Sequence, residues 1–231
     1  MRRLSFIFAL FIVTASIVSC ASGGDKTKTG DAKDVAMIEG AVSLDLDLQN
    51  SRVEWEGYKP TGKHNGTVDI KSGKLELKDG ALVGGSFEID MNTIKDFDLT
   101  DPEYNAKLVG HLKSADFFEV EKFPSATFVI TAATPVDGSK VDKSKERGPI
   151  TPTHAITGNL TIKGITKSIT FNALVETKDG MFSAVTNQFF IDRAEFNVQY
   201  GSRKFFDNLK DQFINDEMGI TLVIKAKLPN A

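Results

Sequence analysis

Hydrophobic and polar positions alternate with a period of two from about Ser43 onward, in one segment after another. Val53, Trp55 and Gly57 share one side of a run whose other side carries Glu54, Glu56 and Tyr58. Leu75 and Leu77 alternate with Lys74, Glu76 and Lys78, and Val83, Gly85, Phe87, Ile89 and Met91 line one face of the next run. The pattern returns at Phe128 and Ile130, at Ile156, Leu160 and Ile162, at Ile169, Phe171, Ala173 and Val175, and from Ile220 through Leu222, Ile224 and Ala226 to Leu228. Successive side chains of a strand point to opposite faces, so each run predicts a strand with one apolar face.

Turn signals separate the runs: "KSG" at 71–73, "KDG" at 78–80, "VDG" at 136–138, "KG" at 163–164 and "KDG" at 178–180. They predict a meander of antiparallel strands joined mostly by short hairpins. About eight such strands must bury their apolar faces, either in a sandwich of two sheets or by closing into a barrel. An eight-stranded barrel has an interior that side chains fill or that holds one small ligand.

Two stretches break the alternation. In "TDPEYNAKLVGHLKSADFF", Asp101 is placed to cap a helix with Pro102 at its first position, and Tyr104, Leu108 and Leu112 recur every four residues. In "GSRKFFDNLKDQFI", Ser202 would cap a second helix carrying Phe205, Leu209 and Phe213. Both are predicted as short helical insertions covering the barrel, with a partner surface as the other reading of their apolar stripes. The intervening "VDGSKVDKSKERGPITP", residues 136–152, has no period and predicts a solvated loop.

The start of the chain has a different character. "MRRLSFIFALFIVTASIVSC" places two arginines before an apolar run from Leu4 to Val18, too short for a comfortable bilayer crossing, which predicts an export signal over residues 1–19. Its end, "SIVSC", resembles the lipobox of bacterial lipoproteins, which implies cleavage between Ser19 and Cys20 and lipidation of Cys20. Cys20 is the sole cysteine of the 231 residues, so a disulfide within one chain is excluded. Its other reading is a buried small hydrophobe. Residues 20–42, polar at first and without aromatic side chains, are predicted as a flexible tether to a domain over 43–231.

Charge narrows the partners. The formal net charge is −3, with lysines and arginines spread along the chain, so the basic footprint required by nucleic acid is lacking. Chemistry is equally sparse. His64, His111 and His154 lie far apart with no metal-ligand spacing and no carboxylate cluster beside them in sequence, and neither a nucleophile elbow nor a phosphate loop occurs. Glu54 and Glu56 belong to the polar strand face. Nothing in these residues specifies a reaction, and no catalytic residue, metal or cofactor is expected.

The blocks "SRVEWEGYKPTGKHNGTVDIKSGKLEL", "LVGGSFEIDMNTIKD", "HLKSADFFEVEKFPSATFVI", "ITGNLTIKGITKSITF" and "IDRAEFNVQYGS" resemble, in order, those of the YceI-like polyisoprenoid-binding proteins. The resemblance covers nearly the whole chain after residue 42. It implies an all-β, lipocalin-like antiparallel barrel enclosing a long isoprenoid lipid, either a prenyl pyrophosphate or a quinone tail. On that basis Val53, Trp55, Phe87, Ile89, Phe128, Ile130, Leu160, Phe171, Val175, Leu222 and Ile224 are the candidate lipid contacts. His64, at a strand end near one mouth, is a candidate contact to a head group or to its own loop backbone. The implied setting is the bacterial cell envelope, lipid-anchored, with the outer membrane facing the periplasm preferred and a homodimer left open. The competing readings are an enzyme acting on an isoprenoid lipid and a filled barrel serving as a structural or interaction domain.

Overall fold

The computed structural model describes residues 27–142 and 146–229, so the expected signal peptide and Cys20 lie outside the described residues. Ten strands form: β1 (Val42–Asp45), β2 (Arg52–Lys59), β3 (Gly62–Lys78), β4 (Ala81–Asp96), β5 (Ser125–Pro135), β6 (His154–Ile162), β7 (Ile165–Lys178), β8 (Met181–Val185), β9 (Phe189–Asp192) and β10 (Glu217–Lys227). They pair antiparallel in the order β1-β3-β2-β10-β8-β7-β6-β5-β4, and the pairing of β4 with β3 closes the ring. Both β1 and β2 pair with β3, and both β8 and β9 pair with β10, at successive stretches of the longer strand. Each of these short pairs acts as one interrupted stave. The barrel therefore has the eight staves expected and is lipocalin-like, with β1, β8 and β9 as pieces that the alternation did not reveal.

Three hairpins carry consecutive positive φ angles, at Asp79 and Gly80 (51° and 81°), Lys163 and Gly164 (50° and 73°) and Asp179 and Gly180 (50° and 73°). These are two-residue turns whose twist matches the flanking strands, which explains the "KDG" and "KG" signals. The turn expected at 71–73 does not form. β3 runs through it without a break, and a register shift between Ile70 and Ser72 takes its place. The extra residue switches parity, so Val68 and Ile70 on one side of the bulge and Leu75 and Leu77 on the other all point inward. "VDG" instead leads into a short 3₁₀ turn capped by the Asp137 carboxylate, which accepts from the Ser139 N–H at 3.1 Å.

The first helical expectation is met by α1 (Pro102–Lys113). The Asp101 carboxylate caps it, accepting from the N–H groups of Glu103 and Tyr104. The second is corrected. After Ser202 the chain makes one turn, with the N–H groups of Phe205 and Phe206 both donating to the Ser202 carbonyl, and then stops. Left-handed backbone at Asn208 (φ 64°) and Lys210 (φ 49°) ends the run, and only a 3₁₀ turn over Lys210–Gln212 follows. The Ile214 N–H donates to the Gly201 carbonyl at 2.8 Å, drawing the ends of the loop together. A short helix has little stability of its own, so this closure prevails over its propensity.

Within the stretch expected to be a tether, Thr27 donates through its N–H and its hydroxyl to the Phe190 carbonyl on β9, and Gly30 exchanges two backbone bonds with Ser168 on β7. Lys33 is held in the same way by the Asn159 side-chain amide on β6. Residues 27–33 thus lie against the barrel wall.

Candidate functional site

The inward faces of the staves enclose a cavity of about 200 Å³. On β4 its wall runs from Leu82 through Phe87, Ile89 and Met91 to Ile94, a contour of about 40 Å at ~3.3 Å per residue. Four aromatic rings, from β4, β5, β7 and β9, form a ladder across it. The Phe87 and Phe128 centroids are 6.3 Å apart, Phe128 and Phe171 are 5.6 Å apart, and Phe171 stacks on Phe189 at 4.5 Å with the planes nearly parallel. α1 and the segment after it cover one end of the barrel with Leu112, Phe117 and Phe118.

Of the candidate contacts, Val53, Trp55, Phe87, Ile89, Phe128, Ile130, Leu160, Phe171, Leu222 and Ile224 all line the cavity. Val175 does not. It shares the inward parity of Phe171 and Ala173 but sits further along β7 toward the β7–β8 hairpin, where it packs on the core without reaching the cavity wall. The Trp55 indole donates to the Lys95 carbonyl at 3.1 Å, and Gly66 lies opposite Trp55 in the ladder. A Cβ at Gly66 would come within 1.8 Å of that carbonyl oxygen, so the position admits only glycine.

Glu56, expected on a solvated face, also reaches the cavity wall. Its carboxylate accepts from Gln188 Nε2 at 2.7 Å and pairs with Lys63, while the Tyr58 hydroxyl donates to Gln188 Oε1 at 3.1 Å. Burial alone would raise the Glu56 carboxyl, but hydrogen bonds from Lys63 and Gln188 hold it below the usual carboxylate value. Burial and the neighbouring Glu56 push the Tyr58 phenol up to about 12, so it stays a donor.

Arg193 is a cavity-lining residue that periodicity missed; its signal was only its place in the "IDRAEF" block. It is fully buried at the α1 end of the cavity, with Cζ 5.2 Å from the Phe117 ring centre. Nε donates to the Asn215 carbonyl, Nη1 to that of Val198 and Nη2 to that of Ile214, and Asp216 lies 3.4 Å from Nη2. Three backbone carbonyls and a carboxylate therefore satisfy this buried cation, which ties the loops on either side of 199–213 together.

His64 is absent from the cavity wall. Its Nδ1 lies 2.9 Å from Asp98 Oδ2, and Asp98 Oδ1 accepts from the Asn65 N–H at 2.8 Å, so the pair joins the start of β3 to the turn between β4 and α1. Asp96, at the end of β4, stands beside them. The three residues, separate in sequence, bring one nitrogen and two carboxylate oxygens within 4.8 Å of one another, the arrangement that sequence spacing did not reveal. Burial, and then the neighbouring Asp98, raise the Asp96 carboxyl. His111 packs against Tyr200, with ring centres 4.4 Å apart, and His154 contacts the Thr153 hydroxyl, so the three histidines serve three separate places.

The model of the YceI-like domain family matches residues 44–226. The chain is similar to protein YceI of Salmonella arizonae, at 41% identity over 63 residues, which is 27% of this chain and only 26% of that protein's length. Among solved structures, BcnA of Burkholderia cenocepacia superposes with a TM-score of 0.59 at 24% identity, over 79% of this chain and all of that one. A polyisoprenoid binding domain from Saccharophagus degradans does so with a TM-score of 0.54 at 14% identity, over 80% of this chain and 98% of its own. At these identities both likenesses bear on the fold.

Proposed function

Because this chain belongs to the YceI-like domain family, we propose that it is a binding protein whose barrel encloses the chain of an isoprenoid lipid. The observation that carries this reading is the cavity, walled on every stave by aliphatic and aromatic side chains. At ~0.3 kcal/mol per heavy atom, a ligand with ~30 buried carbons would gain roughly 9 kcal/mol, in the range of micromolar binding or tighter. Its volume of about 200 Å³ falls below the ~300–1,000 Å³ of ordinary ligand pockets, so a long chain enters as the wall repacks. Met91 and Met218 on the wall supply unbranched, adaptable side chains for that movement. The same modest volume is what favours the second reading, a filled barrel serving as a structural or interaction domain.

The head group in this reading is uncharged, as on a quinone. Among the described residues Arg193 is the one cation on the cavity wall, and the carbonyls that surround it already take its nitrogens. A pyrophosphate would enter without a free counter-charge, at a large desolvation cost.

Cys20 is proposed as the lipidated anchor, in the cell envelope and by preference on the outer membrane facing the periplasm. Because Thr27 is bonded to β9, the link from Cys20 to the barrel reaches at most about 25 Å, which would keep the domain near the bilayer. Mass spectrometry of lipid extracted from gently purified native protein tests the reading. Stoichiometric isoprenoid lipid is expected, whereas protein that carries no lipid and takes up none from prenyl quinone micelles would leave the filled barrel.

A further inference from the structure

We propose that His64, Asp96 and Asp98 form a divalent-metal site of the zinc class that clamps the start of β3 to the turn between β4 and α1. The donor set is one imidazole nitrogen and two carboxylates, which suits Zn²⁺ with water in the fourth position. His64 Nδ1 and Asp98 Oδ2 already stand 2.9 Å apart, close to the ~3.3 Å between two ligands on one tetrahedral zinc at ~2.0–2.1 Å. All three donor atoms lie within 4.8 Å of one another, so a closing of at most about 1.5 Å brings the set to the separation of ligands on one ion.

A second observation points to a ligand. Asp96 is only 6% exposed, and its Oδ2 is buried with no hydrogen-bond partner. Its Oδ1 is already engaged, accepting from the Leu99 N–H at 2.9 Å and from Asn105 Nδ2 at 3.3 Å. The carboxylate is thereby held in orientation, and Oδ2 is the oxygen left for the cluster. A buried carboxylate oxygen without a donor is costly, and a cation is the occupant that removes the cost while also separating two adjacent carboxylates. Neighbouring groups hold the carboxylates as well. The Asn65 N–H orients Asp98 through Oδ1, and Asn105 on α1 also donates to the carbonyls of Asp96 and Leu99.

Metal binding here would fasten α1, which covers one end of the cavity, to the barrel rim. A proton shared between Asp96 and Asp98 is the rival occupant.

The test is a titration of the purified full chain with Zn²⁺ by calorimetry, with Co²⁺ as the spectroscopic substitute. Saturable uptake of one metal per chain is expected, with visible Co²⁺ absorption of tetrahedral intensity. Asp96→Asn and His64→Gln should each weaken it at least about tenfold, whereas His154→Ala should leave it unchanged. A chain that takes up no metal, or one whose uptake survives both substitutions, overturns the proposal and leaves the shared proton. If either variant fails to fold, the imidazole resonances of the unsubstituted chain decide. Zinc should perturb that of His64, and perturbation of His111 or His154 alone would overturn the site.

Discussion

The indole of Trp55 and the backbone carbonyl of Lys95 meet at 3.1 Å across the strand between them, and they do so only because Gly66 leaves the gap open. Gly66→Ala would place a carbon 1.8 Å from that oxygen, forcing β3 and β4 apart. A loss of about 1–3 kcal/mol of stability is expected from denaturant unfolding. Trp55 is the only tryptophan, so its fluorescence reports the local change directly. An unchanged midpoint would show that the strands yield more easily than this packing implies.

Phe171 lies between Phe128 and Phe189 in the aromatic ladder. Phe171→Ala should cost about 3–5 kcal/mol in an empty barrel, because the stack cannot close the void. Added isoprenoid quinone should recover part of that loss as a raised melting temperature. A variant that no lipid stabilises would count against a ligand-filled interior.

His64 stands outside the cavity wall, bound to Asp98. His64→Ala is therefore expected to change the affinities for a charged and an uncharged prenyl ligand of equal length by the same factor. A selective loss for the charged ligand, measured through Trp55 emission, would return His64 to the role of head-group contact.

Glu56 carries a pH dependence of definite sign. Hydrogen bonds hold its folded carboxyl below the unfolded value of ~4.3, so its contribution to stability is present above that value. It is lost as pH falls through the lower folded value. Glu56→Gln should flatten this acid limb in melting curves taken between about pH 5 and pH 2 while costing some stability at neutral pH. Parallel curves for both proteins would show that other carboxylates govern the acid limb.

Cys20→Ala should release the protein from the membrane fraction, since lipidation is the role proposed for the sole thiol. Fractionation in detergent-free buffer is the measurement. Continued membrane association would point to the barrel surface as the means of attachment.

Alternation by itself determined most of the architecture. Side-chain parity in a strand is a local property, so Trp55, Phe87, Phe128 and Leu222 could be assigned inward before any pairing was known. The Asp79–Gly80 and Lys163–Gly164 hairpins and the Asp101 cap of α1 are equally local, because each depends on the conformations open to a few adjacent residues. Tertiary structure decided what parity cannot carry. The bulge between Ile70 and Ser72 resets the faces of β3 because pairing with β4 demands an extra residue there, and the loop after Ser202 gives up its helix because Ile214 must reach Gly201. Arg193 becomes a buried clasp only when distant carbonyls surround it. His64 and Asp98 meet for the same kind of reason: register across the barrel, a sum over many long-range contacts, brings together groups whose own neighbours in sequence say nothing of each other.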